Sequence, residues 1–130
     1  MPCPCGSGLD YSGCCEPLNL GAAADTAEAL MRSRFSAFAL RSTNPRLDAY
    51  LLASWHPSTR PATLELDGGT VWRKLQIVDT VAGGPRDGTG VVEFRASYHD
   101  AGGAAGVLHE RSRFERADGR WAYLDGDIRG

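Results

Sequence analysis

The sequence predicts an α+β fold in which two N-terminal helices close one face of a curled, four-stranded antiparallel sheet, with a small cysteine-rich knob ahead of them. Three observations predict it. All four cysteines fall within the first fifteen of 130 residues. Apolar residues then recur at helical spacing from Ala27 to Ser54, and from Val71 onward the period changes to strand alternation interrupted by turn residues. The boundaries this implies are a cysteine module over residues 1–20 and an α+β domain over residues 21–130.

Cys3, Cys5, Cys14 and Cys15 form the pattern Cys-x-Cys-x8-Cys-Cys. A bridge between adjacent cysteines, or across one residue, is strained, so a disulfide framework would have to cross-link the two pairs. No run approaches the roughly 18 apolar residues of a membrane span. A chain without a secretory leader is expected, and with it a location in the cytoplasm, where thiols stay reduced. Four thiolates held together are then best neutralised by a metal. Zinc accepts four thiolates in a tetrahedron, with iron the alternative for the same donor set. Gly6, Gly8 and Gly13 give so short a loop the freedom to wrap an ion. A closed four-thiolate set leaves no ligand position open for catalysis.

With Pro4-Cys5-Gly6-Ser7-Gly8 and the aromatic Tyr11, this stretch resembles the SEC-C motif, the metal-binding tail of the SecA translocation ATPase. The resemblance implies zinc, or iron in some members, and docking on partner proteins or the ribosome. Leu9 and Asp10 stand where partner-binding SEC-C motifs carry lysines, and the first twenty residues hold Asp10 and Glu16 but no Lys or Arg. Such a knob is poorly suited to a phosphate backbone, and a formal net charge of −2 gives no global attraction for nucleic acid or anionic membrane. A protein partner is expected instead.

Residues 16–24 read as a connector, with Pro17 ending the metal loop. Asp25 is expected to cap the first long helix, with Glu28 completing a capping box. Ala27, Leu30, Met31, Phe35 and Phe38 give it an apolar face, with Arg32, Ser33 and Ser36 largely off that face. Ser42-Thr43-Asn44-Pro45 breaks it, and Leu47, Tyr50, Leu51 and Ser54 mark a shorter helix that stops before Pro57. Trp55 and His56, at this proline-flanked end, are rigidly presented, as a pocket wall or as a packing corner.

Val71–Val81, Thr89–His99, Gly106–Arg116 and Arg120–Ile128 are the expected strands, joined by Gly83-Gly84-Pro85, Asp100-Ala101-Gly102-Gly103 and Asp118-Gly119. Short turns between consecutive strands make an antiparallel meander, and long strands must twist and curl. Alternation sets Val92, Phe94, Ala96 and Tyr98 on one face, shared by Leu108, Glu110, Ser112 and Phe114 and led by Trp121 and Tyr123 toward Asp125. The opposite face carries Glu93, Arg95, His109, Arg111 and Arg113, a cross-strand charge ladder of the kind that normally faces solvent. Glu110 and Ser112 are polar groups set into an apolar surface, so they require partners, a ligand or water. An arginine of the first long helix, Arg32 or Arg34, is the simplest ion-pair partner for Glu110.

Two helices on a curled sheet resemble the NTF2-like cone, whose concave face commonly forms a pocket. The chain also resembles the YchJ family (UPF0225 group) over Cys3 to Pro17, Thr26 to Phe38, Trp55 to Pro61, His109 to Phe114 and Asp118 to Trp121. That resemblance implies SEC-C metal binding joined to an NTF2-like domain. Two functions follow as expectations. One is a zinc-binding adaptor whose knob docks on a protein partner, of the translation or secretion machinery by SEC-C analogy, while the cone holds a peptide or small ligand. The other is a small NTF2-like enzyme doing acid-base chemistry with Glu110 and His56. The expected pocket is Trp55, His56, Glu110, Ser112 and Asp125, and NTF2-like sheets suggest a homodimer through the outer face.

Overall fold

Period-two alternation builds the larger half of the molecule. The computed structural model describes residues 1–64 and 69–129. In it β1 (Val71–Ala82), β2 (Thr89–His99), β3 (Ala105–Ala117) and β4 (Arg120–Ile128) form one sheet in the order β1-β2-β3-β4, with every neighbouring pair antiparallel. The strand boundaries match the sequence reading to within a residue. At the β3–β4 turn Asp118 and Gly119 both take positive φ, 51° and 79°, as a tight hairpin of matching twist requires.

Three helices, not two, lie N-terminal to the sheet: α1 (Glu16–Asn19), α2 (Ala27–Leu40) and α3 (Leu47–Ala53), preceded by a 3-10 turn over Tyr11–Gly13. The extra helix occupies the expected connector. Pro17 sits in its first turn, where a missing N–H leaves no hydrogen bond unmade, so this proline opens an element rather than ending one. The cap of α2 also differs from expectation. Thr26, in extended conformation, accepts the Ala29 N–H on its Oγ1 at 3.0 Å, and Glu28 pairs with Arg32. Asp25 lies one residue too early, and its carbonyl accepts from the Trp121 indole.

Helix α2 is the axis of the fold. Its Ala27 N–H donates to the Gly83 carbonyl at 2.9 Å, where Gly83 and Gly90 of the first hairpin approach so closely that a side chain on Gly90 would overlap Gly83. Leu30 and Phe35 join Val92, Phe94, Phe114 and Trp121 of the sheet in the main core, while Ala37 packs with Leu47 and Leu51 of α3 in a smaller one. Ser33 and Ser36, expected off the apolar face, are fully buried. The reason is coverage from three sides. The sheet takes one face, α3 another through Tyr50 and Ser33, and the knob a third, because Cys3, Cys5 and Cys15 belong to the main core.

One irregularity in β4 matters for the site. Arg113 pairs with Asp125 but Phe114 pairs with Tyr123, so Leu124 is an extra residue in the ladder. Such a bulge reverses which face the following residues occupy. Among the described residues no helix is long and apolar enough to cross a membrane.

Candidate functional site

The knob is a loop closed on itself by backbone bonds. Cys3 N–H donates to the Leu9 carbonyl, Tyr11 N–H to Met1 and Cys14 N–H to Tyr11. Gly6 and Gly8, with φ of 80° and 84°, make the reversal that returns the chain beneath Cys3. Asp10 caps the 3-10 turn at Ser12 and also receives the terminal ammonium of Met1 at 2.7 Å, which holds its carboxyl down to about 2.

This closure gathers the four Sγ atoms within 4.8 Å of one another, with Cys5 to Cys14 at 3.7 Å and Cys14 to Cys15 at 3.9 Å. A tetrahedral ion with metal–sulfur bonds of about 2.3 Å sets its sulfurs about 3.8 Å apart. The residues therefore fit a four-thiolate metal. Burial, reinforced for Cys15 by its sulfur neighbours, raises the Cys14 and Cys15 thiols. For Cys3 burial also opposes ionisation, but the Ser36 hydroxyl and the backbone around Cys5 and Cys15 outweigh it and bring the thiol down to about 7. A divalent cation is the group that would favour all four as thiolates.

The domain grips the knob through side chains that the sequence reading placed elsewhere or passed over. Ser36 Oγ lies 3.5 Å from Cys3 Sγ, and Arg32 Nη1 donates to the Cys5 carbonyl at 2.9 Å. Asn19 donates to the Ser33 carbonyl at 3.0 Å while accepting the Tyr11 hydroxyl at 2.7 Å. These contacts span |i−j| from 8 to 33, so no local motif carries them; the one signal available was a Ser-rich, Arg-bearing stretch on an otherwise apolar helix.

Between α2 and the concave side of the sheet lies a cavity of about 150 Å³. Trp55, Glu110 and Ser112 line it; His56 and Asp125 do not. The His56 ring faces Ser58, with Nδ1 accepting from the Ser58 N–H at 3.1 Å, and its backbone N–H donates to the Tyr123 carbonyl at 2.7 Å. Asp125 is carried to the opposite face by the Leu124 bulge and receives Arg113 Nε at 2.6 Å. That outer face is a set of ion pairs, with Arg113 also on Asp127, Arg111 on Glu93 and Asp79, and His109 on Glu93.

Inside the cavity, Glu110 Oε2 accepts the hydroxyls of Ser112 and, at 3.2 Å, Tyr123. Gly126 makes room for it, since a Cβ there would overlap the carboxylate. Among the described residues no arginine pairs with Glu110 directly. Arg32 is committed to Glu28 and Cys5, and Arg34 Nη1 donates to the Leu51 carbonyl at 2.8 Å and Ser54 Oγ at 2.6 Å. Arg34 is 3 % exposed, and its guanidinium lies over the Tyr123 ring at 4.9 Å and the Trp55 ring at 5.4 Å. Burial pushes its pKa down to about 10. Burial, then the negative charge of Glu110, pushes the Tyr123 phenol up.

A four-cysteine knob packed on a helix that roofs a curled antiparallel sheet defines a SEC-C type cluster joined to an NTF2-like domain. The family model described as "YchJ, middle NTF2-like domain" matches residues 26–126. A UPF0225 protein of Streptomyces coelicolor is 53% identical over 128 residues, covering 98% of this chain and 95% of that one. Another, from Xanthomonas oryzae pv. oryzae, is 52% identical over 126 residues, covering 95% and 92%. The solution structure of a SEC-C motif containing protein from Rhodopseudomonas palustris superposes with a TM-score of 0.80 at 32% identity, covering all of both chains. The chain belongs to the YchJ (UPF0225) family.

Proposed function

We propose that the protein is a zinc-binding adaptor of the cytoplasm, with iron the alternative ion, whose knob docks on a protein partner of the translation or secretion machinery while the cone holds a small ligand. The observation that carries this reading is the four-sulfur cluster at tetrahedral spacing, clamped to α2 on one side. Met1, Leu9 and Leu20 of this stretch are 62%, 57% and 81% exposed, apolar side chains that a partner surface could cover. The absence of Lys and Arg in the first twenty residues favours a protein over nucleic acid.

Metal analysis combined with affinity capture tests it, using the intact protein and a Cys14→Ser/Cys15→Ser form. About one zinc per chain, and a partner set that includes ribosomal or translocation components recovered only with the metal-loaded protein, is the expected result. Identical captures with both forms would remove the docking role and leave the metal as a fastener between the N-terminus and α2.

A further inference from the structure

The cone combines a fixed size, a balanced charge and unmatched hydrogen-bonding groups. Its volume, about 150 Å³, is that of a cavity able to take one benzene-sized ring. Phe35, Phe38, Trp72 and Phe94 give it aromatic walls. Arg34 and Glu110 both line it, and among the described residues no carboxylate lies within ion-pair distance of Arg34. The two charges balance only through space, so a further net charge in this apolar chamber would stand uncompensated.

The hydrogen-bonding capacity is incomplete on both sides. Arg34 uses Nη1 alone, and its Nε and Nη2 have no partner among the described residues. Among the described residues Trp55 Nε1 is buried without a hydrogen-bond partner. Glu110 accepts both of its hydroxyls on Oε2, and its Oε1 has no partner among the described residues. Tyr123 lies between these groups, its ring against Arg34 and Trp55 and its hydroxyl on Glu110.

We infer that the cone binds a net-neutral, single-ring aromatic molecule that presents a carbonyl or hydroxyl oxygen to Arg34 and Trp55 and an O–H or N–H donor to Glu110. This rests on the reading of the cone as a ligand chamber. A ring substituted at opposite ends spans the Tyr123 side chain and completes both sets of hydrogen bonds.

The test titrates the full-length, metal-loaded protein with three probes, 4-hydroxyacetophenone, toluene and 4-hydroxybenzoate, and follows by NMR the indole N–H of Trp72, which lines the cavity in wild type and variant alike, together with that of Trp55 in the wild type. 4-Hydroxyacetophenone is expected to bind about tenfold tighter than either of the others, and Trp55→Phe, which keeps an aromatic wall, to weaken it by about fivefold. Toluene binding as tightly would overturn the polar recognition, and tighter 4-hydroxybenzoate would overturn the charge balance; either leaves the ligand chamber intact. No response to any of the three would overturn the chamber reading as well. An unchanged affinity in Trp55→Phe, with the wild-type preference intact, would remove Trp55 as a donor and overturn the recognition as stated.

Discussion

The knob and the cone sit on different faces of α2 and are built in contrasting ways. The knob draws its four sulfurs from thirteen consecutive positions, 3–15, and closes them with backbone bonds inside the same stretch. The cone draws Arg34, Trp55, Glu110 and Tyr123 from a helix, a helix end and two strands. A local site is specified by spacing, whereas a distributed one is specified by register and packing. Helix α2 serves both, with Ser36 toward the cysteines and Arg34 toward the cavity.

Removing the metal is the strongest way to break this comparison. Chelation, or Cys14→Ser/Cys15→Ser, should abolish amide-exchange protection over residues 1–20 while the β-strand amides stay protected, because the sheet retains Phe94, Phe114 and Trp121 in its own core. Collapse of strand protection would show that knob and domain fold as one unit, a real alternative given that Cys3, Cys5 and Cys15 reach the main core.

The reverse perturbation is Phe114→Ala. Phe114 is fully buried beneath Tyr123, so its truncation should cost about 3–5 kcal/mol in denaturant unfolding and leave the metal content per chain unchanged. Loss of metal in the folded variant would make the knob dependent on the cone.

How far each region could be read from sequence follows the same division. The cysteine spacing indicated the cluster directly, and strand alternation gave all four strands, their turns and the inward position of Glu110 and Ser112. Asp125 went to the wrong face because one extra residue, Leu124, inverts the alternation, and period counting has no means of detecting an inserted residue. His56 looked available because Pro57 follows it directly at a helix end. Its orientation depends on Tyr123, distant in sequence, and on Ser58 beside it. Buried Ser33 and Ser36 were hidden for a related reason: a helix covered on three sides carries polar groups inward wherever another element supplies partners.

Ser36→Ala sharpens the comparison at smaller scale. Losing the hydroxyl beside Cys3 should lower metal affinity by about tenfold in a chelator competition, with the cavity resonances unmoved. An equal response in both regions would mean that α2 transmits strain between them.

The smallest effect concerns alkaline pH and belongs to the cone. Tyr123 has its pKa raised in the folded state, so its contribution to stability is complete below the ordinary tyrosine value of about 10 and is lost as pH rises through the raised value. Arg34 acts oppositely. Its pKa is depressed to about 10, so its burial penalises the fold at neutral pH, and that penalty fades as pH climbs from there toward 12.5. Spectrophotometric titration should therefore show Tyr11, Tyr50 and Tyr123 all ionising late, with one late-ionising group fewer in Tyr123→Phe, and little net change in unfolding midpoint where the Tyr123 and Arg34 trends oppose each other.

The segment after α3 is stitched to β4 at two adjacent residues, Tyr123 and Leu124, the latter accepting the Thr59 hydroxyl on its carbonyl. Tyr123 N–H donates to the Ser54 carbonyl at 2.9 Å and its carbonyl accepts His56 N–H at 2.7 Å, a one-rung parallel bridge. Trp55, held between those two bonds, is both wall and door of the cavity. Breaking these three hydrogen bonds would free the door while the four-stranded ladder stays intact. Entry of a ring would then be timed by how often this stitch opens, and association would saturate at the opening frequency instead of rising with concentration.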